Sequence, residues 1–185
     1  ERRPPEPEQE RPPVEASPTA GEMLFLDDFS DPASGWFTFS DKASSSRYED
    51  GQLVVDVQAE NTFVWTTVDQ EHADVDFEVE TAKLGGPDDN GFGVILRYQD
   101  PDNFYLFEIS SDGFYQFGLF ENDEWITLIE WTATDLIKLG DRNVIAAEAE
   151  GNRFTLFING VQVNQVYDDT FHTGTVGLAA ETFSE

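Results

Sequence analysis

The stretch that decides the fold is Gly91–Trp125, which reads GFGVILRYQDPDNFYLFEISSDGFYQFGLFENDEW. Three runs rich in Phe, Tyr, Ile and Val alternate there with two short polar turns. In the turn Asp100-Pro101-Asp102-Asn103, proline fits the second position, and the Asp and Asn side chains can bond back to nearby backbone. In the turn Ser111-Asp112-Gly113, glycine supplies the positive φ of a three-residue hairpin loop with a bulge. Apolar runs joined by turns this short predict three consecutive antiparallel strands.

The two turns also predict the register of these strands. If Gln99 faces Phe104 across the first turn, then Ile95 faces Glu108, and across the second turn Glu108 faces Gln116. Because side chains alternate along a strand, these pairings sort them onto two faces. The apolar face, which we expect in the core, carries Val94, Leu96, Tyr98, Tyr105, Phe107, Ile109, Tyr115, Phe117 and Leu119. The other face has a charged and amide-bearing centre and carries Ile95, Arg97, Gln99, Phe104, Leu106, Glu108, Gln116 and Gly118.

Size and charge limit the possible functions. The 185 residues suffice for one sandwich domain and a tail, and the absence of cysteine excludes disulfides and thiol chemistry. The net charge of −28, from 38 acidic and 10 basic residues, argues against nucleic-acid binding, which needs a basic surface. It also disfavours anionic membranes, and no apolar stretch is long enough to span a bilayer. Such acidity is typical of a highly soluble protein, and cation binding is the alternative interpretation.

The chain divides into a linker and one domain. Residues 1–22 hold six of the nine prolines, with Glu and Arg among most of the others, and are predicted to be a disordered spacer or a plain disordered end. The chain starts without Met and shows no signal peptide, so we expect it to be a processed or excised part of a larger protein. Residues 23–185 are predicted to form the folded domain.

Short strands are predicted along the whole domain, with no long helical period. Asn159-Gly160 is the strongest hairpin signal, and Thr134–Lys138 is the one candidate for a helical turn. Outside the central stretch, strands are expected at residues 23–26, 52–57, 63–68, 74–82, 126–131, 143–149, 153–158, 161–166 and 175–180. This pattern predicts an all-β sandwich or barrel.

The order of these features resembles the concanavalin A-like lectin/glucanase superfamily, in its bacterial laminin G-like or 3-keto-disaccharide hydrolase-like form. The resemblance covers nearly the whole domain from Met23 and implies an antiparallel two-sheet sandwich of jelly-roll type. It suggests an extracellular or cell-surface module of a larger secreted or anchored protein, and a monomer is expected. The residues that carry it are Asp27-Asp28-Phe29, Gly35-Trp36, Tyr48–Leu53 (YEDGQL), Asp76-Phe77, Phe92–Phe104 (FGVILRYQDPDNF), Trp125, Leu128, Trp131, Phe157-Ile158-Asn159-Gly160 and Gly174–Leu178 (GTVGL).

A sugar-binding site is the first functional hypothesis. Sugars offer hydroxyls to charged and amide groups and apolar ring faces to aromatic planes, so their sites combine both in a concave surface. The predicted site consists of Arg97, Gln99, Glu108 and Gln116 on one sheet face, bordered by Trp125 and Trp131. The alternative is an Arg97–Glu108 ion pair on a solvated face, with both Trp residues in the core.

A calcium ion is the second hypothesis, and it comes from the resemblance, because related sandwiches often hold a structural calcium near the first strand. The implied ligands are Asp28, the carbonyl of Gly51, and Glu181. Oxygen ligands are those that calcium requires, although acidic loops are more often plain turns.

Catalysis is the third hypothesis and the least favoured. Asp74-Val75-Asp76-Phe77-Glu78 has a faint likeness to the alternating acids of the glucanase branch, but an acidic solvent-facing strand is expected in so acidic a chain. Neither His72 nor His172 stands beside a candidate nucleophile. No catalytic residue is therefore assigned. A module that binds a glycan or cell-surface polysaccharide is predicted, with a hydrolase-like enzyme or a structural spacer as alternatives.

Overall fold

A computed structural model describes residues 23–184, which form thirteen β-strands. No helix in this range could span a membrane. The predicted linker, residues 1–22, lies outside the described residues. The strands are β1 Phe39–Ser40, β2 Ser44–Glu49, β3 Gln52–Val57, β4 Thr62–His72, β5 Val75–Thr81, β6 Gly91–Asp100, β7 Asn103–Ser110, β8 Phe114–Glu121, β9 Glu124–Ala133, β10 Asn143–Glu150, β11 Arg153–Ile158, β12 Val161–Tyr167 and β13 Gly174–Thr182.

Two antiparallel sheets pack face to face, as predicted. One has six strands in the order β4-β13-β6-β7-β8-β9, and the other has four in the order β12-β11-β10-β5. A third, three-stranded sheet, β1-β2-β3, lies beside them. The structure therefore confirms the antiparallel two-sheet sandwich of jelly-roll type.

The core lies between the two large sheets. The central strands contribute Val94, Phe107 and Phe117, which are fully buried against Ile145 and Phe154 of the four-stranded sheet. Every residue of the predicted core face belongs to this cluster except one, Tyr98, which lies on the opposite face. The central meander thus forms half of the core.

The predicted register holds in the second hairpin and fails in the first. Glu108 pairs with Gln116 as expected, but Ile95 pairs with Leu106 rather than with Glu108, whose partner is Gly93. The cause is an irregularity between Leu96 and Asp100, which shifts the pairing by two residues. A shift of two preserves the alternation of faces, so the assignments of Val94, Ile95 and Leu96 hold, whereas Arg97 and Tyr98, which lie within the irregularity, change faces.

At this bulge Arg97 adopts a left-handed backbone conformation with φ of 50°, which turns its side chain away from the predicted face. The guanidinium is 1% exposed, and its centre lies 5.0 Å from the centre of the Phe154 ring. It donates hydrogen bonds to the carbonyls of Phe171 at 2.7 Å, Ala73 at 3.0 Å and Gly151 at 2.6 Å. The predicted placement of Arg97 on the opposite face with Glu108 is therefore wrong.

Two smaller predictions also fail. Met23–Leu26 has no regular secondary structure and joins no sheet, and residues 134–138 form non-helical turns rather than a helical turn. There the side chain of Asn143 accepts a bond from the Lys138 amide at 2.8 Å and donates to the Lys138 carbonyl at 3.1 Å, which fixes the loop without a helix. The Asn159-Gly160 hairpin forms as predicted, between β11 and β12.

We expect Arg97→Ala to lower the free energy of unfolding by roughly 3 kcal/mol, because it leaves several buried carbonyls without their donor. Arg47→Ala is the matched control, since Arg47 is an exposed arginine paired with Glu49, and it should cost less than about 1 kcal/mol. Urea denaturation of both variants measures the difference. Equal losses would contradict a structural role for Arg97.

Candidate functional site

The six-stranded sheet has one face in the core, and the opposite face, here called the outer face, is not covered by either of the other sheets. Its side chains fall into two groups. One is a cluster of aromatic rings, and the other is a pair of glutamates near one end of the sheet. These two groups form the candidate site.

The aromatic cluster covers one half of the outer face. Phe104 is almost completely buried at its centre, and its ring centre lies 5.0 Å from that of Phe120 and 5.8 Å from that of Phe63. Beneath the rings lie the buried side chains Ile95, Leu106 and Ala179. The other rings are only half-buried and present an aromatic surface to solvent. The cluster consists of Phe63, Trp65, Tyr98, Phe104, Phe120 and Trp125.

Curvature of the sheet brings these rings together. Phe63 on β4 lies 5.9 Å from Phe120 on β8, although three strands stand between β4 and β8. Strands are spaced about 4.8 Å apart, so rings on such distant strands meet only if the outer face is strongly concave. Gly118 adds to the fit, because a Cβ there would come within 2.5 Å of the Trp125 ring. The missing side chain of Gly118 therefore leaves room for the Trp125 ring.

Polar loops border this cluster. The turn before Phe104 and the turn after Phe120 are held together by bonds from the Asn122 amide to Asn103 Oδ1 at 3.0 Å and from the Asp123 amide to the Asp102 carbonyl at 3.2 Å. Carboxylate and amide groups thus stand at one end of the aromatic surface. Within the cluster, the indole of Trp65 donates to the Tyr98 hydroxyl at 3.3 Å, which orients both rings.

The glutamate pair lies at the other end of the outer face. Glu108 on β7 is fully buried and accepts a short hydrogen bond from the Gln116 amide. Glu181 on β13 packs beside it over Gly91, where a Cβ would overlap the Glu108 carboxylate and touch the Glu181 side chain. The rings of Trp131 and Phe183 meet edge to face nearby, with their centres 6.5 Å apart.

The electrostatics of this pair favour a bound proton. Burial, and secondly the neighbouring Glu181, raise the pKa of Glu108 well above its ordinary value. Burial also raises the pKa of Glu181, whereas its hydrogen bond with Glu108 acts in the opposite direction. Apart from Glu181, no described residue provides a hydrogen-bond partner for Oε2 of Glu108. The pair therefore keeps a proton to higher pH than exposed glutamates do.

The predicted ligand residues do not form one accessible group. Arg97 points into the core side, and Glu108 and Gln116 are buried against one another. Gln99 is exposed but bonded to the carbonyl of Thr173. Trp125 and Trp131 are half-buried, and their rings pack against Phe120 and Phe183, respectively. Sequence reasoning missed Phe63, Trp65, Tyr98 and Phe120, although the alternation of Phe63, Trp65 and Thr67 indicated one aromatic side of β4.

The implied calcium ligands Asp28, Gly51 and Glu181 come from three parts of the chain and line the same cavity. The Asp28 carboxylate accepts a bond from the Ser30 amide at 3.0 Å, Gly51 lies in the β2–β3 turn, and Glu181 lies against Glu108. Among residues 23–184 no group of three or more His, Cys, Asp or Glu side chains could hold a metal ion. Calcium binding by Asp28, Gly51 and Glu181 stays a prediction.

The acidic strand is β5, in the four-stranded sheet. Its residues Asp76, Glu78 and Glu80 are exposed, while Val75, Phe77 and Val79 turn toward the core. These acids therefore lie on a solvent face, away from the concave outer face of the other sheet.

Comparison with known proteins supports the fold. No protein family and no curated protein matches this sequence. Among solved structures, carbohydrate-binding module CBM66 from Bacillus subtilis superposes with a TM-score of 0.67 at 18% identity, covering 80% of this chain and 92% of that one. The β-glucanase of Bacillus licheniformis gives a TM-score of 0.61 at 8% identity, covering 86% and 85%. A lichenase from a mouse hindgut metagenome gives 0.59 at 15% identity, covering 84% and 83%.

These similarities place the chain in the concanavalin A-like jelly-roll fold. At such low identity they establish the architecture, and the function must be argued from the site.

The glutamate pair makes stability depend on pH in a testable way. The pKa of Glu108 is higher in the folded protein than in the unfolded chain, so protonation of Glu108 favours folding. This contribution to the free energy of unfolding is complete below the unfolded-state pKa of about 4.3 and is lost as pH rises through the folded-state pKa. Glutamine does not titrate, so Glu108→Gln should not lose this contribution. The free energy of unfolding of the variant, relative to that of the wild type, should therefore increase as pH rises from 4 to 8. Denaturation at several pH values measures the gain.

The control is Glu130→Gln, an exposed glutamate on β9. Its pH profile should parallel that of the wild type. If Glu108→Gln also runs parallel to the wild type, the raised pKa is wrong.

Proposed function

We propose that this domain is a carbohydrate-binding module whose aromatic cluster stacks against sugar rings. The observation that carries the proposal is the set of half-buried rings on a concave sheet face that no other sheet of residues 23–184 covers. Sugar rings have apolar faces that pack on such planes, and their hydroxyls suit the carboxylates and amides of the bordering turns.

Binding is favoured over catalysis by the position of the acids. Glycoside hydrolysis needs two carboxyl groups on either side of the scissile bond, in reach of the substrate. Glu108 is 0% exposed and bonded to Gln116, so the pair on the outer face does not meet this requirement as it stands. The acids of β5 lie on the solvent face of the other sheet, away from the aromatic cluster.

The fold shared with a carbohydrate-binding module is compatible with this proposal, and the fold shared with glucanases keeps the enzyme as the alternative. We further propose that the module acts outside the cytoplasm, on a glycan or cell-surface polysaccharide, as part of a secreted or anchored protein. This part rests on the Pro-rich composition of residues 1–22.

The aromatic cluster is tested by Trp125→Ala. We expect the dissociation constant for a bound polysaccharide to rise roughly tenfold, the value of a lost stacking contact of ~1.4 kcal/mol. Affinity electrophoresis against β-glucans, fructan, cellulose and chitin, after a glycan array, provides the measurement. Release of reducing ends in the same mixtures tests the enzyme alternative.

Tyr167→Ala is the matched control, because Tyr167 is an aromatic residue 62% exposed on β12 of the other sheet. It should leave binding unchanged. Failure of the wild type to bind any of these polysaccharides, or equal losses in both variants, would overturn the proposal.

A further inference from the structure

A deep cleft separates the three-stranded sheet from the four-stranded sheet. Strand β5 is bonded to β10 along one edge, and β3 is bonded to β2 along one edge. Within residues 23–184, neither strand has a partner on its other edge. Residues of both strands line the same cavity of about 2150 Å³, here called the edge cleft.

The edge cleft opens onto the hydrophobic core. Val176 and Leu178 of the six-stranded sheet line it and also belong to or pack on the core cluster. From β5, Phe77 turns inward, and from β3, Leu53 does the same. An occupant of the cleft would therefore cover apolar side chains as well as two strand edges. Burial of the apolar surface contributes about 25 cal/mol for each Å² removed from water.

Exposed apolar residues stand at the same place. Met23 and Leu26, which line the cleft, are 73% and 79% exposed. They belong to a segment that lines the cleft and joins neither sheet. Unpaired strand edges beside exposed apolar side chains are the usual template for the addition of another strand.

Charge defines what kind of strand fits. The acidic side chains along the cleft outnumber the basic ones, which are Arg47, Lys83 and Arg142. Each base already has an acidic partner: Arg47 contacts Glu49 at 2.7 Å, Arg142 contacts Glu80 at 2.5 Å, and Lys83 lies 3.6 Å from Asp88.

On the solvent side of β5, Asp76 and Glu78 are exposed, and neither forms an ion pair with a described residue. A neighbouring strand would place its outward side chains directly opposite these two carboxylates. Lysine or arginine is favoured at those positions, and glutamate or aspartate is disfavoured.

We propose that the edge cleft binds an extended peptide segment of a partner protein, which adds to the edge of β5 as a further strand. Its length is set by β5, which has seven residues. Alternate side chains of the segment are apolar and cover the core, and the others are basic and face Asp76 and Glu78. Strand addition of this kind takes affinity from main-chain hydrogen bonds and specificity from alternate side chains. The site is separate from the aromatic cluster and does not depend on sugar binding.

The test uses two blocked heptapeptides, one alternating lysine with valine and the other alternating glutamate with valine. Calorimetric titration measures binding, and amide hydrogen exchange locates it. The lysine peptide should slow exchange in β5 and β3, should leave the edge strand β9 unchanged, and should bind more weakly as salt is added. The glutamate peptide should bind at least tenfold more weakly.

Glu78→Lys provides the matched variant, since Glu78 is exposed and its replacement leaves the core intact. It should weaken binding of the lysine peptide about tenfold and strengthen binding of the glutamate peptide. Glu130→Lys makes the same charge change on β9 and should alter neither.

Three outcomes would overturn the proposal. They are unchanged exchange in β5 with excess lysine peptide, equal protection of β5 and β9, and a peptide-free dimer in sedimentation whose β5 amides are already protected. The last would assign the cleft to a second copy of this chain.

Discussion

The buried guanidinium of Arg97 holds the sandwich together at one end. Arg97 belongs to β6, and its acceptors lie in three separate connections: Ala73 between β4 and β5, Gly151 between β10 and β11, and Phe171 between β12 and β13. A buried charge is tolerated only when its hydrogen-bond donors are satisfied. The folded structure therefore requires all three loops to be positioned around the guanidinium. Gly174 allows the start of β13 to approach the backbone of Arg97, because a Cβ at Gly174 would overlap that backbone.

The same bulge shapes the outer face. By turning Arg97 inward, it turns Tyr98 outward, where the Tyr98 hydroxyl accepts the bond from the Trp65 indole. The tyrosine ring then packs on Phe104, with 5.8 Å between ring centres. One backbone irregularity thus both closes the core and completes the aromatic cluster. A site built on strands in this way is held more rigidly than one built on loops.

This coupling explains what the sequence could predict and what it could not. Turn chemistry and alternation predict the hairpins, the core face and the sandwich, because they depend on neighbouring residues along the strand. The inward turn of Arg97 depends on carbonyls more than 20 residues away, and no local pattern announces them. Val94, Ile95 and Leu96 lie on their predicted faces because the register shift is two residues rather than one.

The aromatic cluster could not be predicted from the sequence for a different reason. Phe63, Trp65 and Phe120 are ordinary strand residues by composition, and their convergence requires the curvature of a six-stranded sheet. Trp125 was predicted to border the site, but the position of its ring depends on the space left by Gly118 on the neighbouring strand. Sequence could therefore identify candidate rings, whereas the concavity that assembles them is a property of the whole sheet.

Acidic side chains are in different environments on β5 and at Glu108. On β5 the carboxylates of Asp76, Glu78 and Glu80 are exposed to solvent and contribute to the net charge of −28. At Glu108 a carboxyl is sealed under its neighbours and is tolerated because it can hold a proton. The outer face accordingly has an aromatic half, whose rings reach solvent, and a glutamate half, which is closed over Gly91 and bordered by Trp131 and Phe183. The proposed sugar site uses only the first half, so it is shorter than the sheet that carries it.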